Sequence, residues 1–360
     1  MLHNLILKLK WAVTCRSMLG RKDSYYPDEK HKSHFRIICD QFRFLLKGGY
    51  FEEYYYLYGF DRACMTWKRM SDYITPYRAF LNKVDQLNFQ NPYFDAFQGR
   101  ITGRIFDQDK YYFYLFLSRL GYPTPRIFYY VRKGRVIYED EAFSSDFEAL
   151  AKPVDGMMGD GIFFLCRHEG QLFMNGEPCS REELDAIFAS ANYIVQERVI
   201  QHERLAALCP TSVNTLRMFT VMDREGRVIS FCPILRIGRM GSLVDNWAKG
   251  GISVGVDTKS GTLMDRGSLK PGKGTVVFEH PDTHIRLEGY EIPFYREAEE
   301  MVIRLHGQMY RNHSIGWDVA ISPQGPVIIE GNDRWEISLL QAAHGPVGYL
   351  KKYFYEPDKA

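Results

Sequence analysis

Residues 316–333 read GWDVAISPQGPVIIEGND, and no other stretch constrains the fold as much. Two apolar runs flank Pro323-Gln324-Gly325, and both carry oxygen-bearing side chains at their outer ends: Asp318 on one, Glu330 and Asn332 on the other. Pro323 fixes φ at the first turn position and Gly325 can supply the left-handed one, so the segment is expected to be a hairpin with a three-residue loop. That register sets Asp318 opposite Glu330. It gives one face Val319, Ile321, Val327 and Ile329, and the other Asp318, Ala320, Ile328, Glu330 and Asn332; a two-residue loop would offset the pairing and part the acids. Like charges directly opposed weaken a sheet. They are tolerated when a divalent cation lies between them or when one carboxyl keeps its proton. Asp, Glu and Asn oxygens are ligands that Mg²⁺ takes, with phosphate oxygens completing the shell. A solvated polar face is the alternative reading of this segment alone.

A chain of 360 residues with 45% hydrophobic and 25% charged residues can bury a sizeable core. A net charge of +2 speaks against a dedicated nucleic-acid binder. Its seven cysteines are scattered, with no C-x-x-C pair, which suits a reducing compartment better than a disulfide framework or a zinc site, so the cytoplasm is expected. No apolar run reaches the roughly 18 residues of a membrane span. Lys8 and Lys10 interrupt the opening MLHNLILKLKWAVTC, while Leu2, Leu5, Ile6, Leu9 and Val13 fall at helical spacing. A packed helix is the plainer reading there, and a helix lying on a membrane surface the other. Nothing in the sequence sets the oligomeric state.

Up to about residue 105 the pattern is mainly helical. Next, DQDKYYFYLFLSRLGYPTP reads as a helix opened near Asp107 and closed by Gly121 and Pro123. A hairpin is expected around Lys133-Gly134, and SSDFEAL is expected to start a helix leading to a short strand, LAKP. A strand IFFLC should pair with QLFM through Glu169-Gly170. Ser180 and Glu183 have capping-box spacing for the helix REELDAIFASA. YIVQERVI, then two strands around DREG, a glycine-rich partly extended DNWAKGGISVGV, and a helix REAEEMVIRLHGQMY complete the reading. The fold class is therefore α+β, built largely of antiparallel hairpins with interposed helices.

Several loops could serve a bound nucleotide. In KPVDGMMGDGIFF, Lys152 ends a strand and Gly156, Gly159 and Gly161 follow; glycines let backbone N–H groups approach phosphate, and lysine supplies a point charge. It is not a Walker loop, and a plain turn between strands explains it equally well. Gln196 and Glu197 end a strand that could present backbone to adenine, with Glu203 seven residues beyond Gln196. Arg217, on NTLRMFT, could clamp a phosphate or carboxylate bidentately, or pair on the surface. Asn246, Gly250 and Gly251 form another phosphate-friendly cluster, or simply a turn.

In this order the pieces resemble the ATP-grasp superfamily, and most of all its sugar-transfer-associated branch, from about Asp109 to Gln341. The resemblance implies two α+β subdomains gripping ATP, at 106–195 and 196–345, after a mainly helical region 1–105 and before a tail 346–360. By the same resemblance, Lys110 and Lys152 contact the phosphates and Gly156 to Gly161 form a mobile lid. Gln196 to Val199 line the adenine, Glu203 holds the ribose, and Asp318, Glu330 and Asn332 hold Mg²⁺, or Mn²⁺. Arg217 and the Asn246/Gly250/Gly251 cluster would lie near the γ-phosphate and acyl group. The first hundred residues depart from the family, since they do not alternate as βαβ.

The function expected from this resemblance is ATP-dependent carboxylate–amine ligation through an acylphosphate, with Arg217 and Lys152 catalytic. The substrates would be a small-molecule or glycan carboxylate and an amine, an amino acid and a uronic-acid-bearing surface polysaccharide precursor among them. A phosphotransferase and a non-catalytic nucleotide-binding scaffold are the alternatives.

Overall fold

The aromatic run YYYLYGF, residues 54–60, is placed at the centre of a helical module by its own hydrophobicity. In the computed structural model, which describes residues 20, 22–46, 52–75, 77–89, 110–154, 161–309 and 312–355, Tyr54 to Tyr58 and Phe60 are all buried. Around them stand α1 (His34–Leu46), α2 (Glu52–Leu57), α3 (Trp67–Ser71) and α4 (Tyr77–Phe89). The expected helical character of this region is borne out there; the amphipathic opening segment lies outside the described residues. Helix α5 (Lys110–Arg119) follows, ended as anticipated by Gly121 at φ +74°.

The first sheet is wholly antiparallel. It holds β1 (Ile127–Arg132), β2 (Arg135–Glu139), β3 (Phe147–Pro153), β4 (Phe163–His168), β5 (Gln171–Met174), β6 (Glu177–Cys179) and β7 (Tyr193–Glu197), in the order β2-β1-β7-β3-β4-β5-β6. Lys133 and Gly134 both have positive φ, the two-residue turn that matches strand twist. The capping box is formed: Ser180 Oγ accepts from Glu183 N and Glu183 Oε2 from Ser180 N, starting α6 (Arg181–Ser190). Leu184 and Phe188 of α6 pack on Tyr129, Phe143 and Val195.

One expectation fails here. SSDFEAL does not start a helix: Phe147, Ala149 and Ala151 alternate as buried residues with Glu148 and Leu150, and β3 begins at Phe147. The helical turn lies earlier, a 3₁₀ segment at Glu141–Ser144 capped by Asp140 Oδ1 accepting from Ala142 N. The period of two outweighs the helix propensity of Glu and Ala because the strand buries both alanines between β4 and β7.

A short helix, α7 (Glu203–Leu208), leads to the second sheet: β8 (Thr215–Met222), β9 (Val228–Ile237), β10 (Ile252–Val256), β11 (Leu263–Ser268), β12 (Val276–Val277), β13 (Ser314–Ser322) and β14 (Gly325–Asn332). Their order is β12-β11-β10-β9-β8-β13-β14, again antiparallel. One face, with Leu216, Met218, Leu235, Val254, Trp317 and Val319, is covered by α8 (Tyr295–Gln308) through Ala298, Met301, Val302 and Leu305. The other face carries Phe219, Val221 and Ile234 against the helical module and α9 (Ile337–His344).

Asn88 latches the module to this sheet. Its Nδ2 donates to Ser314 O (3.0 Å) and Asp333 O (2.7 Å), and its Oδ1 accepts from His313 N (2.8 Å) and Ser314 N (3.0 Å). Gln341 does the same for Ile74, accepting from its N–H at 2.7 Å and donating to its carbonyl at 3.2 Å.

The opening hairpin closes differently from expectation. Ser322 pairs with Gly325, so the loop has two residues, Pro323 and Gln324. A bulge then intervenes: Val319 pairs with Ile328 and Asp318 with Glu330, leaving Ile329 without an opposite number. The acids therefore meet although the loop is short. The bulge also exchanges the apolar residues: Ile328, not Val327 or Ile329, joins Val319 and Ile321 in the core.

Candidate functional site

Alternation along β8, β9 and β13 turns Arg217, Arg236 and Asp318 to the face opposite α8. Asp318 is buried, and its carboxylate is held by two guanidiniums. Arg217 Nε and Nη2 grip it bidentately, the latter at 3.0 Å, and Arg236 Nη1 reaches the same Oδ2 at 3.0 Å. Arg236 Nη2 bonds Asp245, which in turn accepts from Thr215 N at 3.0 Å and from the Thr215 hydroxyl. A continuous chain of alternating charge thus runs Asp245–Arg236–Asp318–Arg217. The Nε of Arg236 and the hydroxyls of Ser253 and Ser268, which follow it in one register row, have no partner among the described residues.

The two facing acids differ in state. Burial alone would raise the Asp318 carboxyl, but Arg217 and Arg236 outweigh it and hold it far below the ordinary range. Burial first and the Asp318 charge second push the Glu330 carboxyl upward, with Lys110 and Arg217 opposing. Of the two, Glu330 is the carboxyl that takes up a proton more readily. Asn332 Nδ2 spans Gly316 O (3.3 Å) and Glu330 Oε1 (3.5 Å). Two adjoining carboxyls and an amide form an all-oxygen donor set, and their enforced proton sharing is the condition that a divalent ion relieves. The residues present fit magnesium on that chemistry.

From the first sheet come the lysines. Lys152 Nζ donates to Gln196 Oε1 at 2.9 Å, and Gln196, itself buried, donates to Pro125 O. Burial pushes the Lys152 ammonium down to about 8; Glu330 opposes the shift and Lys110 adds to it. Lys110 Nζ donates to Val154 O at 3.0 Å. Lys110, Lys152 and Glu330 lie within electrostatic reach of one another, so α5, β3 and β14 contribute charge to one site.

The remaining residues singled out in the sequence lie as follows. Gly161 sits at φ +72°, where a Cβ would come within 2.9 Å of Pro153, so glycine is required there; Gly156 and Gly159 lie outside the described residues. β7 is an interior strand bonded on both sides, and Arg198 N still donates to Glu148 O, so it offers no open edge up to that point. The exposed Glu197 accepts from Arg126 N at 3.1 Å, Val199 is half-buried in the next loop, and Glu203 is exposed in the first turn of α7. Asn246 is spent as a cap, accepting from Ala248 N at 2.8 Å; Gly250 takes the left-handed conformation, and a Cβ on Gly251 would collide with Asp245 O. That turn therefore serves to aim Asp245 at Arg236. Arg236 was missed in the sequence, although an arginine inside the apolar run FCPILRIG was a sign of a buried charge with a partner.

A family model described as sugar-transfer associated ATP-grasp matches residues 91–351. The chain belongs to this family. Solved structures similar to this ATP-grasp chain include the ATP-grasp ligase PsnB complexed with precursor peptide PsnA2 and AMPPNP, at 14% identity and TM-score 0.35, covering 69% of this chain and 58% of that one. An L-amino acid ligase from Bacillus licheniformis is similar at 11% identity and TM-score 0.35, over 66% of this chain and 42% of that one. D-alanine–D-alanine ligase from Bacillus anthracis complexed with ATP is similar at 13% identity and TM-score 0.35, over 67% and 59%. This chain thus spans well under two thirds of the length of each. No curated protein matches it. Among the described residues of the ATP-grasp chain, no helix is long and apolar enough to cross a membrane.

Lys152 gives this site a pH signature. With its ammonium titrating near 8, protonated lysine falls from about nine-tenths of molecules at pH 7 to about one-tenth at pH 9. ATP affinity, measured by calorimetry, is expected to fall about tenfold over that interval, and Lys152→Met should be weaker but flat. An unchanged slope in Lys152→Met would show that this lysine is not the source of the pH dependence.

Proposed function

We propose that this chain is an ATP-dependent carboxylate–amine ligase working through an acylphosphate. The observation that carries this reading is that Lys110 and Lys152, from the first half of the chain, lie within electrostatic reach of the half-buried Glu330, which faces the buried Asp318 in the second. A nucleotide triphosphate supplies the anion that such lysines neutralise.

ATP would lie between the sheets with its phosphates at Lys110 and Lys152, beneath the segment Gly156–Gly159–Gly161. Gln196, Glu197 and Val199 would line the base, and Glu203 would lie toward the ribose. Asp318, Glu330 and Asn332 would hold magnesium, or manganese, which when bound spreads the charge of the phosphate oxygens. A substrate carboxylate oxygen attacks the γ-phosphorus and ADP departs. An amine nitrogen then attacks the acyl carbon, phosphate leaves, and the amine's proton passes to solvent. Arg217, with Arg236 behind it, offsets the charge that develops on the acyl oxygen. The turn at Asn246, Gly250 and Gly251 holds Asp245, and so keeps Arg236 in place. Exclusion of water protects the acylphosphate from hydrolysis.

The family's association with sugar transfer supports a uronic acid of a polysaccharide precursor as the acid and an amino acid as the amine. The six described cysteines are free thiols, which supports a cytoplasmic reaction. The test is ADP release over a matrix of uronic acids and amino acids, with product mass as the readout. The expected result is release that needs both partners and a product lighter by one water than their sum. A stable phosphorylated product formed without an amine would replace this reading with phosphoryl transfer.

A further inference from the structure

Helix α1 buries Ile37, Asp40, Gln41 and Phe44 against the helical module, which fixes its orientation. The opposite side stays open. Phe35 is 77% and Leu46 82% exposed, with Cys39 exposed and Ile38 and Phe42 only half-covered between them. Residues 35, 39, 42 and 46 follow helical spacing, so they form one apolar stripe about 16 Å long. Single exposed apolar residues are ordinary; a stripe ending in a fully presented phenylalanine and leucine is not.

Charge indicates what covers it. The only acid of α1 is Asp40, which is buried and bonded to Lys32 Nζ at 2.6 Å and to the Tyr55 hydroxyl. The exposed side carries Arg36 and Arg43 and no acid. The Arg43 guanidinium lies 3.9 Å from the centre of the Trp67 ring, which carries the cationic rim onto α3 and its exposed Lys68 and Arg69. An apolar stripe edged by cations, on a helix with no exposed acid, matches the boundary of an anionic bilayer, where acyl chains take the aromatic and aliphatic groups and headgroups take the arginines.

We propose that α1 is a membrane-surface docking helix, inserting Phe35, Phe42 and Leu46 into an anionic lipid surface while Arg36 and Arg43 meet the headgroups. This does not depend on the ligase reading. The binding surface is preformed by the packing of α1 on the module, so docking costs little ordering of the helix.

The test uses the full chain, sedimented with vesicles of phosphatidylcholine containing about 30% phosphatidylglycerol, and with phosphatidylcholine alone. Binding is expected to the anionic vesicles, weakened about tenfold or more on neutral ones. Phe35→Ser with Leu46→Ser should weaken binding at least tenfold with melting unchanged, because both side chains are already in water. Arg36→Gln with Arg43→Gln should weaken it about fivefold per charge and remove most of the salt dependence. Wild-type protein that ignores anionic vesicles, or a Ser/Ser variant that binds as wild type does, overturns the proposal. A dimer in light scattering that the Ser/Ser variant dissociates also overturns it, assigning the stripe to a second copy of the chain.

Discussion

Glu330→Gln is expected to abolish ADP formation and leave the fold as stable as before, whereas Asp318→Asn loses both. The two acids face each other, but their surroundings differ. Asp318 is the counter-ion of Arg217 and Arg236, so its loss strands two guanidiniums in a buried place. Breaking a buried pair in this way costs about 3–5 kcal/mol. Among the described residues no cation is bonded to Glu330, and burial and Asp318 drive it toward its neutral form. Glutamine is nearly its isostere in that state, and unfolding free energy should stay within about 1 kcal/mol. Each substitution removes an oxygen ligand that would hold the metal against the phosphates, so turnover should drop about a thousandfold in both. Urea unfolding beside a coupled ADP assay reads the two effects separately. Equal instability of both variants would refute the asymmetry, and wild-type turnover in both would refute the metal assignment.

Asn88→Ala should be among the most damaging single changes outside the site. One amide satisfies four backbone groups of 313–314 and 333, three of them in buried bonds, at the start of the strand that carries Asp318 and just past the end of β14. Alanine removes the partner of all four, three of them buried, an expected loss of about 4 kcal/mol. Asn88→Ala should therefore unfold at markedly lower urea with an unchanged slope. A variant as stable as wild type would mean that the module docks by its aromatic packing alone.

Much of this was legible in the sequence, for reasons that differ by element. The Glu169-Gly170 and Lys133-Gly134 turns and the Ser180 capping box are local chemistry, and they form as the residues dictate. Residues 147–150 misled because Glu and Ala favour helix locally, while the strand is chosen by neighbours that lie elsewhere in the chain. The facing of Asp318 and Glu330 was anticipated but by way of a longer loop: a shorter loop and a bulge compensate, and no local rule announces such a pair of deviations. Arg236 escaped notice since its significance lies in Asp245 and Asp318, 9 and 82 residues away. Likewise α7 and β11 are made by packing rather than by periodicity.

The bulge at Ile329 makes the site a matter of parity. Eleven residues separate Asp318 from Glu330, and the side-chain period of a strand is two. With the bulge kept, removing one residue from the β13 arm brings Ile329 beside Asp318 and sets the glutamate opposite Trp317, on the α8 side, while removing one from the β14 arm brings Gly331 beside Asp318. Two compensating changes, one on each side of the turn, would restore the pairing. While the bulge persists, the acids stay together only through paired insertions or deletions; loss of the unpaired Ile329 is the single deletion that the register absorbs.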